Sequence, residues 1–355
     1  MPRPGRILVA MSGGVDSSVA AALLREAGHE VVGVTLHLWD ADGSSKVGRC
    51  CAPEDREDAR RSCDALGIPH YVIDEREAFL EHVVEPFLDE YRRGRTPIPC
   101  VHCNRTVKLV KLVGIAEQLG CTHVATGHYA RLEHDADGLV HLLRGRDAGK
   151  DQSYFLFGLP QSTLARLVFP LGARDKVETR AEGRRLGVPN AEKPDSQELC
   201  FIPDGDVQGF VRSRRGPGRE GRILDAEGRE LGRHEDVSAF TVGQRRGLPL
   251  GGGHGSPRYV LRIVPDTHDV VVGEADALGS PELEAEHAHW TARRPERPFR
   301  GEVRIRYRHA AAPALVEPTE RGFRVRFDAP QRAITPGQAA VVYVGDEVVG
   351  GGYIV

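Results

Sequence analysis

The sequence MSGGVDSS at residues 11–18 follows a short apolar run, residues 7–11, and leads into a helical pattern over residues 17–27. A strand, a tight glycine turn and a helix in this order are typical of a phosphate-binding site. Two adjacent glycines let the backbone approach a ligand without an intervening Cβ, and the first N–H groups of the helix point towards it. The stretch therefore predicts a cradle for a pyrophosphate group.

The spacing of these glycines excludes two common nucleotide-binding loops. The chain has neither G-x-x-x-x-G-K-[ST], with its lysine for the β- and γ-phosphates, nor the dinucleotide turn G-x-G-x-x-G at this position. The pattern S-G-G-x-D-S resembles instead the PP-loop of the ATP pyrophosphatases, which cleave ATP between the α- and β-phosphates and leave an adenylated substrate. The alternative is an ordinary turn in which Asp16 and Ser17 act only as helix caps.

Length and composition limit the class of protein. At 355 residues the chain exceeds what one hydrophobic core usually supports, so we expect two or three domains. With 40% hydrophobic residues, no long apolar run and no secretory signal, we expect a soluble chain without membrane association. We also expect a cytoplasmic location. The seven cysteines should then be mostly reduced, so clustered cysteines indicate catalysis, redox chemistry or metal binding.

The charge is unevenly distributed along the chain. A net charge of −3 argues against bulk, nonspecific binding of nucleic acid. Arginines nevertheless crowd two stretches, residues 212–222 and 293–308. Each stretch is compatible with a contact to a phosphate backbone and with an exposed arginine-rich surface that binds nothing, and both readings stay open.

The first two hundred residues alternate apolar strands with amphipathic helices. The strand patterns cover 31–38, 70–73 and 123–126, and the helical patterns cover 17–27, 53–66 and 107–119. This alternation predicts an α/β fold with a Rossmann-like parallel sheet. Ligands of such sheets bind at the carboxyl ends of the strands, where the glycine turn, residues 35–36 and residues 126–128 fall. We expect one crevice at this edge to hold ATP.

The remainder of the chain is richer in glycine, proline and short strands. Strand-like runs at 221–224, 239–242 and 259–264 predict a small mixed central domain. Runs at 301–307, 322–327 and 339–344 alternate with turns and predict a C-terminal β-barrel. We therefore predict a nucleotide-binding and catalytic domain at 1–205, a central domain at 206–283 and the barrel at 284–355.

Two cysteines lie at C-x-x-C spacing. Cys100 and Cys103 stand on a proline-fixed loop just before a helix, where a thiolate is stabilised and becomes a better nucleophile. Cys200 is distant in sequence, beside the end of the α/β half. Separated thiols beside an adenylation site indicate sulfur transfer. Adenylation turns a carbonyl oxygen into a leaving group, and a persulfide sulfur then displaces it. A second thiol either reduces the persulfide or takes part in the resulting disulfide.

The other cysteines have simpler interpretations. Cys63 and Cys121 lie in apolar patterns and are expected to be small buried hydrophobic residues. The role of Cys50 and Cys51 stays open. A structural zinc site that combines Cys100 and Cys103 with Cys50 or Cys51 is an alternative, although a second C-x-x-C or a spaced histidine pair is missing.

Several motifs together resemble the tRNA-specific 2-thiouridylase family. They run nearly from end to end of the chain: SGGVDSS at 12–18, GRTP at 94–97, CN at 103–104, ATGHY at 125–129, GKDQSYF at 149–155, CFI at 200–202, TVGQRRGL at 241–248 and RYR at 306–308. The resemblance implies a sulfurtransferase that uses ATP to thiolate C2 of the wobble uridine of tRNA. Its products are 2-thiouridine, AMP and diphosphate.

The same resemblance implies residue roles. ATP, accompanied by Mg²⁺, is bound by Ala10, Met11, Ser12, Gly13, Gly14, Val15, Asp16 and Ser17, with Leu36 and Gly127 on the adenine or ribose side. Cys103 is the nucleophile and Cys200 carries the persulfide, and the two form a transient disulfide. tRNA is contacted by Lys150, Asp151, Gln152, Arg306 and Tyr307, with His128 and Gln338 close to the RNA. Lysine and arginine suit phosphates, and a tyrosine ring suits an extruded base.

Cys100 departs from the family pattern, because many relatives carry an aspartate three residues before the nucleophile. The thiol opens a second route, in which Cys100, Cys103 and Cys200 ligate a [4Fe–4S] cluster whose fourth iron holds sulfide. The persulfide route needs two of these thiols and the cluster route needs all three. We take the persulfide route as the leading one.

Two other classes of function remain as alternatives. An amidating ligase would adenylate its substrate and use ammonia, and it would need neither Cys103 nor Cys200. An RNA-binding or sulfur-carrying scaffold would keep the fold without turnover. For the enzyme we expect tRNA and a sulfur-relay protein as partners and a monomeric state.

Overall fold

The computed structural model describes residues 5–40, 53–195, 199–202, 205–251 and 256–355. The chain forms two compact units. The first is Met1–Val83, Cys100–Gly205 and Asp346–Val348, and the second is Val84–Pro99, Asp206–Gly345 and Val349–Val355. Over the described ranges, every helix is too short or too polar to cross a membrane.

The secondary structure follows the predicted order over most of the chain, with the differences given below. The strands are β1 Arg6–Ala10, β2 Glu30–His37, β3 His70–Asp74, β4 His123–Ala125, β5 Ala130–His134, β6 Val140–Arg144, β7 Leu167–Val168, β8 Gly221–Leu224, β9 Glu230–His234, β10 Tyr259–Ile263, β11 Val270–Gly273, β12 Gly279–Trp290, β13 Phe299–Arg304, β14 Ala312–Pro318, β15 Gly322–Arg332, β16 Ala339–Val344 and β17 Glu347–Ile354. The α-helices are α1 Val15–Glu26, α2 Pro53–Leu66, α3 Arg76–Phe79, α4 Glu85–Arg92, α5 Pro99–His102, α6 Leu109–Gln118, α7 Gln161–Leu164, α8 Lys176–Arg185 and α9 Val207–Arg215.

The first unit is built on a parallel sheet with the strand order β3-β2-β1-β4-β7. The middle strand β1 pairs in parallel with β2 on one side and β4 on the other. Its residues Ile7, Leu8 and Val9 are fully buried, as expected for a strand that is covered on both faces. The Rossmann-like sheet is therefore confirmed.

Cys63 and Cys121 lie in the core of this unit, which confirms their interpretation as small hydrophobic residues. The sulfur of Cys63 fills the space beside Gly33 of β2, where an added Cβ would come within 2.6 Å of it. Burial, with a smaller contribution from Asp64, raises the pKa of the Cys63 thiol to about 12. This thiol stays protonated at neutral pH and is not a nucleophile.

An antiparallel hairpin that the sequence patterns do not predict follows β4. Strands β5 and β6 pair from Ala130 opposite Arg144 to His134 opposite Val140. Residues 346–348 of the same unit join the hairpin, since Glu347 pairs with Leu143 and Asp346 forms an ion pair with Arg131 at 2.5 Å. This partner lies some two hundred positions away in sequence, so no local pattern announces it.

The second unit contains two β-structures. A small sheet has the order β10-β11-β8-β9, and the strands β12-β15-β14-β13-β16-β17 close on themselves through pairing of β12 with β17. The predictions of a small central domain and a C-terminal barrel are confirmed. The barrel is filled by alternate residues of its strands, among them Val303, Val316 and Phe323.

Residues 239–242 do not form the predicted strand. Residues Val237–Ala239 form a 3₁₀ turn instead, and Phe240 then enters the core of the small sheet. Asp236 fixes this turn because its carboxylate accepts hydrogen bonds from the backbone N–H and the hydroxyl of Ser238, at 2.9 and 2.7 Å. An aspartate that caps a turn outweighs the strand propensity of the apolar residues that follow.

Candidate functional site

The glycine loop lies between β1 and α1. Gly13 has a φ of +75°, in the left-handed region that favours glycine. A Cβ on Gly13 would also lie 2.0 Å from the backbone oxygen of Asp55, at the start of α2. Gly14, with extended backbone, is the N-cap of α1. The first turn of α1 therefore presents its N–H groups at the carboxyl edge of the sheet, as the sequence predicts.

Hydroxyl groups hold this loop in shape. Ser17 Oγ donates to the carbonyl of Gly14 at 3.0 Å and accepts the backbone N–H of Ser12 at 3.2 Å. Ser18 Oγ donates to the same Gly14 carbonyl at 3.2 Å. Thr35 of β2 donates its hydroxyl to the carbonyl of Met11 at 2.7 Å. The loop is thus organised by its own side chains and by the neighbouring strand.

The residues predicted for the nucleoside side reach the same edge. Leu36 lies near the end of β2, and Gly127 follows β4, so both flank the end of β1. An added Cβ on Gly127 would lie 2.7 Å from both the carbonyl carbon of Asp16 and the nitrogen of Ser17. The backbone after β4 therefore packs directly against the first turn of α1, and the structure brings the predicted ATP-binding residues together.

Asp16 is held by two groups that the sequence analysis did not identify as site residues. Lys176, at the start of α8, donates to both carboxylate oxygens of Asp16 at 2.7 and 2.8 Å. The hydroxyl of Tyr129 donates to Asp16 at 2.9 Å. Tyr129 falls inside the ATGHY motif, which is a usable signal. Lys176 stands 160 positions from Asp16, and its sequence context carries no such signal.

Lys176 also contacts Asp195, and Asp195 in turn contacts Lys150, a predicted tRNA-binding residue. Asp195 accepts from Lys150 and Lys176, at 2.7 Å in each case, and from Arg180 at 3.4 Å. Burial opposes ionisation of Asp195, but the hydrogen bonds from Lys150 and Lys176 outweigh it and hold the pKa of this carboxyl below its ordinary value. Two carboxylates and three cations thus form one network beside the glycine loop, with a net positive charge.

The other predicted tRNA-binding residues of this unit have structural contacts. Asp151 is buried, and its carboxylate accepts the backbone N–H groups of Gly145 and Ser153 at 3.0 and 3.1 Å. Gln152 accepts the N–H of Tyr129 at 3.1 Å through its side chain and donates its own N–H to the carbonyl of Tyr129 at 2.9 Å. These two residues fix the loop that carries Lys150.

His128 is half-buried and its ring faces Thr126 and Phe169. Its Nδ1 lies 2.7 Å from Thr126 Oγ1, and its ring meets Phe169 edge-on with centroids 6.0 Å apart. Burial, with a smaller contribution from Lys108, lowers the pKa of His128 to about 3. The imidazole is therefore neutral at pH 7, and it offers a hydrogen bond rather than a positive charge.

Cys103 lies inside a helix rather than on the predicted loop before one. Pro99 begins α5, and the backbone continues in helical conformation through a π-helical segment, Cys103–Lys108, into α6. Proline is favoured at the first position of a helix, where its missing N–H is not needed, so it starts this helix. Cys100 is exposed in the first turn, whereas Cys103 is buried one turn further on.

Cys200 belongs to the same unit and is half-buried. Its neighbour Phe201 is buried and packs edge-on against Phe79 and Trp39, with centroid distances of 5.7 and 6.3 Å. This aromatic cluster anchors the short segment 199–202. Residues 196–198, which precede it in the DSQELCFI motif, lie outside the described residues, as do Cys50 and Cys51.

The described ranges, which exclude residues 41–52 and 196–198, contain no group of three His, Cys, Asp or Glu side chains placed to hold a metal ion. Cys100, Cys103 and Cys200 therefore do not form the three-thiolate set that a [4Fe–4S] cluster requires in this geometry. Magnesium has a less demanding requirement, since it takes one or two carboxylates together with phosphates and water. Asp16 supplies such a carboxylate beside the glycine loop.

The predicted tRNA-binding residues of the second unit are engaged within that unit. Arg306 donates to the carbonyls of Val242 and Ala333, at 3.1 and 2.6 Å, and to the hydroxyl of Thr335. Gln338 donates to the carbonyls of Thr96 and Pro97 at 2.9 and 3.4 Å. The guanidinium of Arg304 lies 5.3 Å from the ring centre of Tyr307.

The contacts of Arg306 lead to a prediction about stability. We expect Arg306→Met to lower the free energy of unfolding by about 2–4 kcal/mol, because three buried acceptors lose a charged donor. Urea unfolding followed by tryptophan fluorescence measures this change, with Trp290 as the reporter in the barrel and Trp39 as the reporter in the first unit. Arg297, which is exposed, gives a matched control, since Arg297→Met should stay within about 0.5 kcal/mol of the parent. A fully stable Arg306→Met that only loses tRNA affinity would contradict the structural role.

Several members of the two arginine-rich stretches form ion pairs. Arg215 contacts Glu85 and Asp89, Arg222 contacts Asp269 at 2.6 Å, and Arg300 contacts Asp328. A paired arginine has less positive charge to offer a phosphate backbone than an unpaired one. These pairs favour the interpretation of their residues as surface structure.

Comparisons with known proteins agree with this fold. One family model, described as a tRNA methyl transferase HUP domain, matches residues 5–204. A tRNA methyl transferase PRC-barrel domain matches residues 208–274, and an aminomethyltransferase beta-barrel domain matches residues 280–354. Together the three models span nearly the whole chain.

Curated relatives extend over the full length of the chain. The tRNA-specific 2-thiouridylase MnmA of Geobacter metallireducens is 48% identical over 356 residues, covering 98% of this chain and 96% of the relative. The protein of the same name from Sorangium cellulosum is 51% identical over 357 residues, covering 98% and 92%. That from Solibacter usitatus is 49% identical over 367 residues, covering 98% of both. The chain therefore belongs to the tRNA-specific 2-thiouridylase family of tRNA sulfurtransferases.

Proposed function

We propose that this chain is a tRNA-specific 2-thiouridylase that adenylates the wobble uridine and replaces its C2 oxygen with sulfur from a persulfide on Cys200. One observation carries the proposal. The loop at residues 11–18 presents the start of α1 at the carboxyl edge of a parallel sheet, and Cys103 and Cys200 belong to the same compact unit. Phosphate binding and thiol chemistry are thus supplied by one unit.

In the first half-reaction, the residues of the loop bind and orient the phosphates of ATP. The N–H groups of the first turn of α1 bind phosphate oxygens. Gly13 lets the loop pack against Asp55, and Gly127 lets the backbone after β4 pack against the first turn of α1. Asp16 would exchange a contact with Lys176 for Mg²⁺, which when bound offsets negative charge on the departing pyrophosphate. The C2 oxygen of uridine attacks the α-phosphorus, and pyrophosphate leaves with the electron pair of the broken bond.

In the second half-reaction, the terminal sulfur of the Cys200 persulfide attacks C2 and forms a C2–S bond. The thiolate of Cys103 then attacks the sulfur of Cys200, so a Cys103–Cys200 disulfide forms and the transferred sulfur keeps the electron pair of the broken S–S bond. Collapse to the C2=S double bond expels AMP. An external thiol reductant must reduce the disulfide before the next turnover.

We propose that residues of both units contact tRNA. Lys150 would exchange its ion pair with Asp195 for a phosphate of the RNA, and Tyr307 would stack on a base. His128, being neutral, would contact RNA through a hydrogen bond. Asp151, Gln152, Arg306 and Gln338 would support the contacting segments through the hydrogen bonds described above.

We also propose domain limits at residues 205 and 283, a cytoplasmic location, a monomeric state and a sulfur-relay protein as the sulfur donor.

The test of the function is direct. Unmodified tRNA is incubated with the protein, ATP, Mg²⁺ and a persulfide source, and its nucleosides are then analysed by mass spectrometry. We expect 2-thiouridine at the wobble position, with one pyrophosphate released for each sulfur inserted. Release of pyrophosphate without any thiolated nucleoside would favour the amidating ligase, and the absence of both would favour a scaffold.

A further inference from the structure

We infer that Lys193 and Asn190 are positioning residues for ATP, because they hold the carbonyl of Gly13 so that the next N–H faces the phosphates. This inference rests on the proposed function, since it assigns the orientation of one peptide in the proposed phosphate site. Both residues follow α8 and stand far from the glycine loop in sequence.

Two side chains converge on a single backbone oxygen. Asn190 Nδ2 donates to the carbonyl of Gly13 at 2.9 Å, and Lys193 Nζ donates to the same oxygen at 3.2 Å. A carbonyl that accepts an amide and an ammonium together is fixed in direction. The peptide between Gly13 and Gly14 is otherwise the most easily rotated in the loop, because neither residue has a Cβ.

The direction of that carbonyl sets the direction of the following N–H. A trans peptide is planar, so the C=O of Gly13 and the N–H of Gly14 point to opposite sides. The described part of the chain contains no cis peptide bond. Gly14 N–H makes a long contact of 3.4 Å with Ser12 Oγ, and it lies at the N-cap of α1. With the carbonyl fixed by Lys193 and Asn190, this N–H joins those of the first helical turn.

Lys193 is itself held firmly. Its side chain is 10% exposed, and its ammonium contacts Asp55 at 2.5 Å and Asp58 at 2.6 Å. Burial opposes the charge of Lys193, but the hydrogen bonds with Asp55 and Asp58 outweigh it and raise the pKa of this lysine. Asp55 is the residue whose backbone oxygen occupies the space beside Gly13. The first turn of α2, Lys193 and the glycine loop therefore form one cluster.

A positioning role predicts a specific kinetic result. Loss of one charged hydrogen bond to the loop should weaken ATP binding by about 10- to 100-fold. Because the bond shapes the binding loop and does not touch the reacting atoms, the KM for ATP should rise by this factor. The value of kcat at saturating ATP should change much less.

The experiment measures ATP binding without tRNA, by equilibrium dialysis of radiolabelled ATP with Mg²⁺, for Lys193→Met and Asn190→Asp. The first variant removes the ammonium, and the second replaces a donor with a carboxylate that repels the Gly13 carbonyl. Asp58→Asn is the matched control, since it weakens the same ionic cluster but leaves both donors to Gly13. We expect it to lose stability in urea while its ATP affinity falls less than about threefold.

The outcomes are distinct. If Lys193→Met and Asn190→Asp bind ATP as the parent does, the inference is overturned while the proposed function stands. If Asp58→Asn loses as much ATP affinity as Lys193→Met, ATP affinity depends on the intact ionic cluster and not on the two donors to Gly13, and the inference is again overturned. Should Lys193→Met fail to fold, Asn190→Asp alone decides. A parent protein that fails to bind ATP would overturn the proposed function itself.

Discussion

Cys200→Ser is expected to form no 2-thiouridine, a loss of at least about 10³-fold, while it continues to release pyrophosphate when tRNA is added. Serine cannot carry a persulfide, so no sulfur reaches C2. Adenylation depends on the glycine loop and leaves the sulfur of Cys200 untouched. The two half-reactions should therefore separate. Mass spectrometry of nucleosides measures the first, and an enzyme-coupled pyrophosphate assay measures the second.

Cys100→Ser is the matched control for this experiment, and it also tests the route of sulfur transfer. Cys100 and Cys103 lie one helical turn apart, with the first exposed and the second buried. On the persulfide route only Cys103 and Cys200 are needed, so Cys100→Ser should keep its activity within about twofold. On the cluster route it should be as inactive as Cys200→Ser, and anaerobically purified parent protein should contain iron. Full thiolation by Cys200→Ser would refute the assignment of its role.

The glycine loop and the parallel sheet were predictable because their signals are local. A strand pattern, the turn residues and a helix pattern all lie within residues 7–27, and the geometry follows from the Cβ atoms that Gly13 and Gly14 lack. The groups that hold the loop were not predictable in the same way. Lys176 and Lys193 come to it from more than 150 positions away, and only the packing of the first unit places them there.

For the predicted RNA contacts, the sequence identifies the residues but not their roles. The resemblance to the family assigns Arg306 and Gln338 to the RNA, but it does not say whether such a residue binds a ligand or holds the fold. In the structure both side chains donate to backbone carbonyls of their own unit. Their presence in the family is explained as well by these bonds as by RNA, which is why the stability of Arg306→Met is informative.

Gly13→Ala is expected to abolish measurable ATP binding, with an affinity loss of at least about 100-fold, and to lower the stability of the first unit. Two effects act together at this position. The φ of +75° is unfavourable for alanine, and the new Cβ would lie 2.0 Å from the backbone oxygen of Asp55. Because that oxygen belongs to α2 and not to a flexible side chain, either the helix or the loop must move.

Two further glycines separate these effects. Gly28, which follows α1, has a φ of +85° but open space around an added Cβ, so Gly28→Ala carries only the backbone strain, about 1 kcal/mol. Its ATP affinity should equal that of the parent. Gly14 has an ordinary φ, and the nearest atom to an added Cβ is Ser12 Oγ at 3.5 Å, so Gly14→Ala should fold normally.

The ATP affinity of Gly14→Ala depends on where the phosphates lie. If ATP lies against the Gly13–Gly14 peptide, a methyl group on Gly14 occupies space that the ligand needs, and Gly14→Ala should bind ATP at least tenfold more weakly without any change in its urea midpoint. Calorimetric titration with ATP and Mg²⁺ measures all three variants on one scale. If Gly14→Ala binds ATP as tightly as the parent, the phosphates bind elsewhere. The same conclusion follows if Gly28→Ala loses as much ATP affinity as Gly13→Ala.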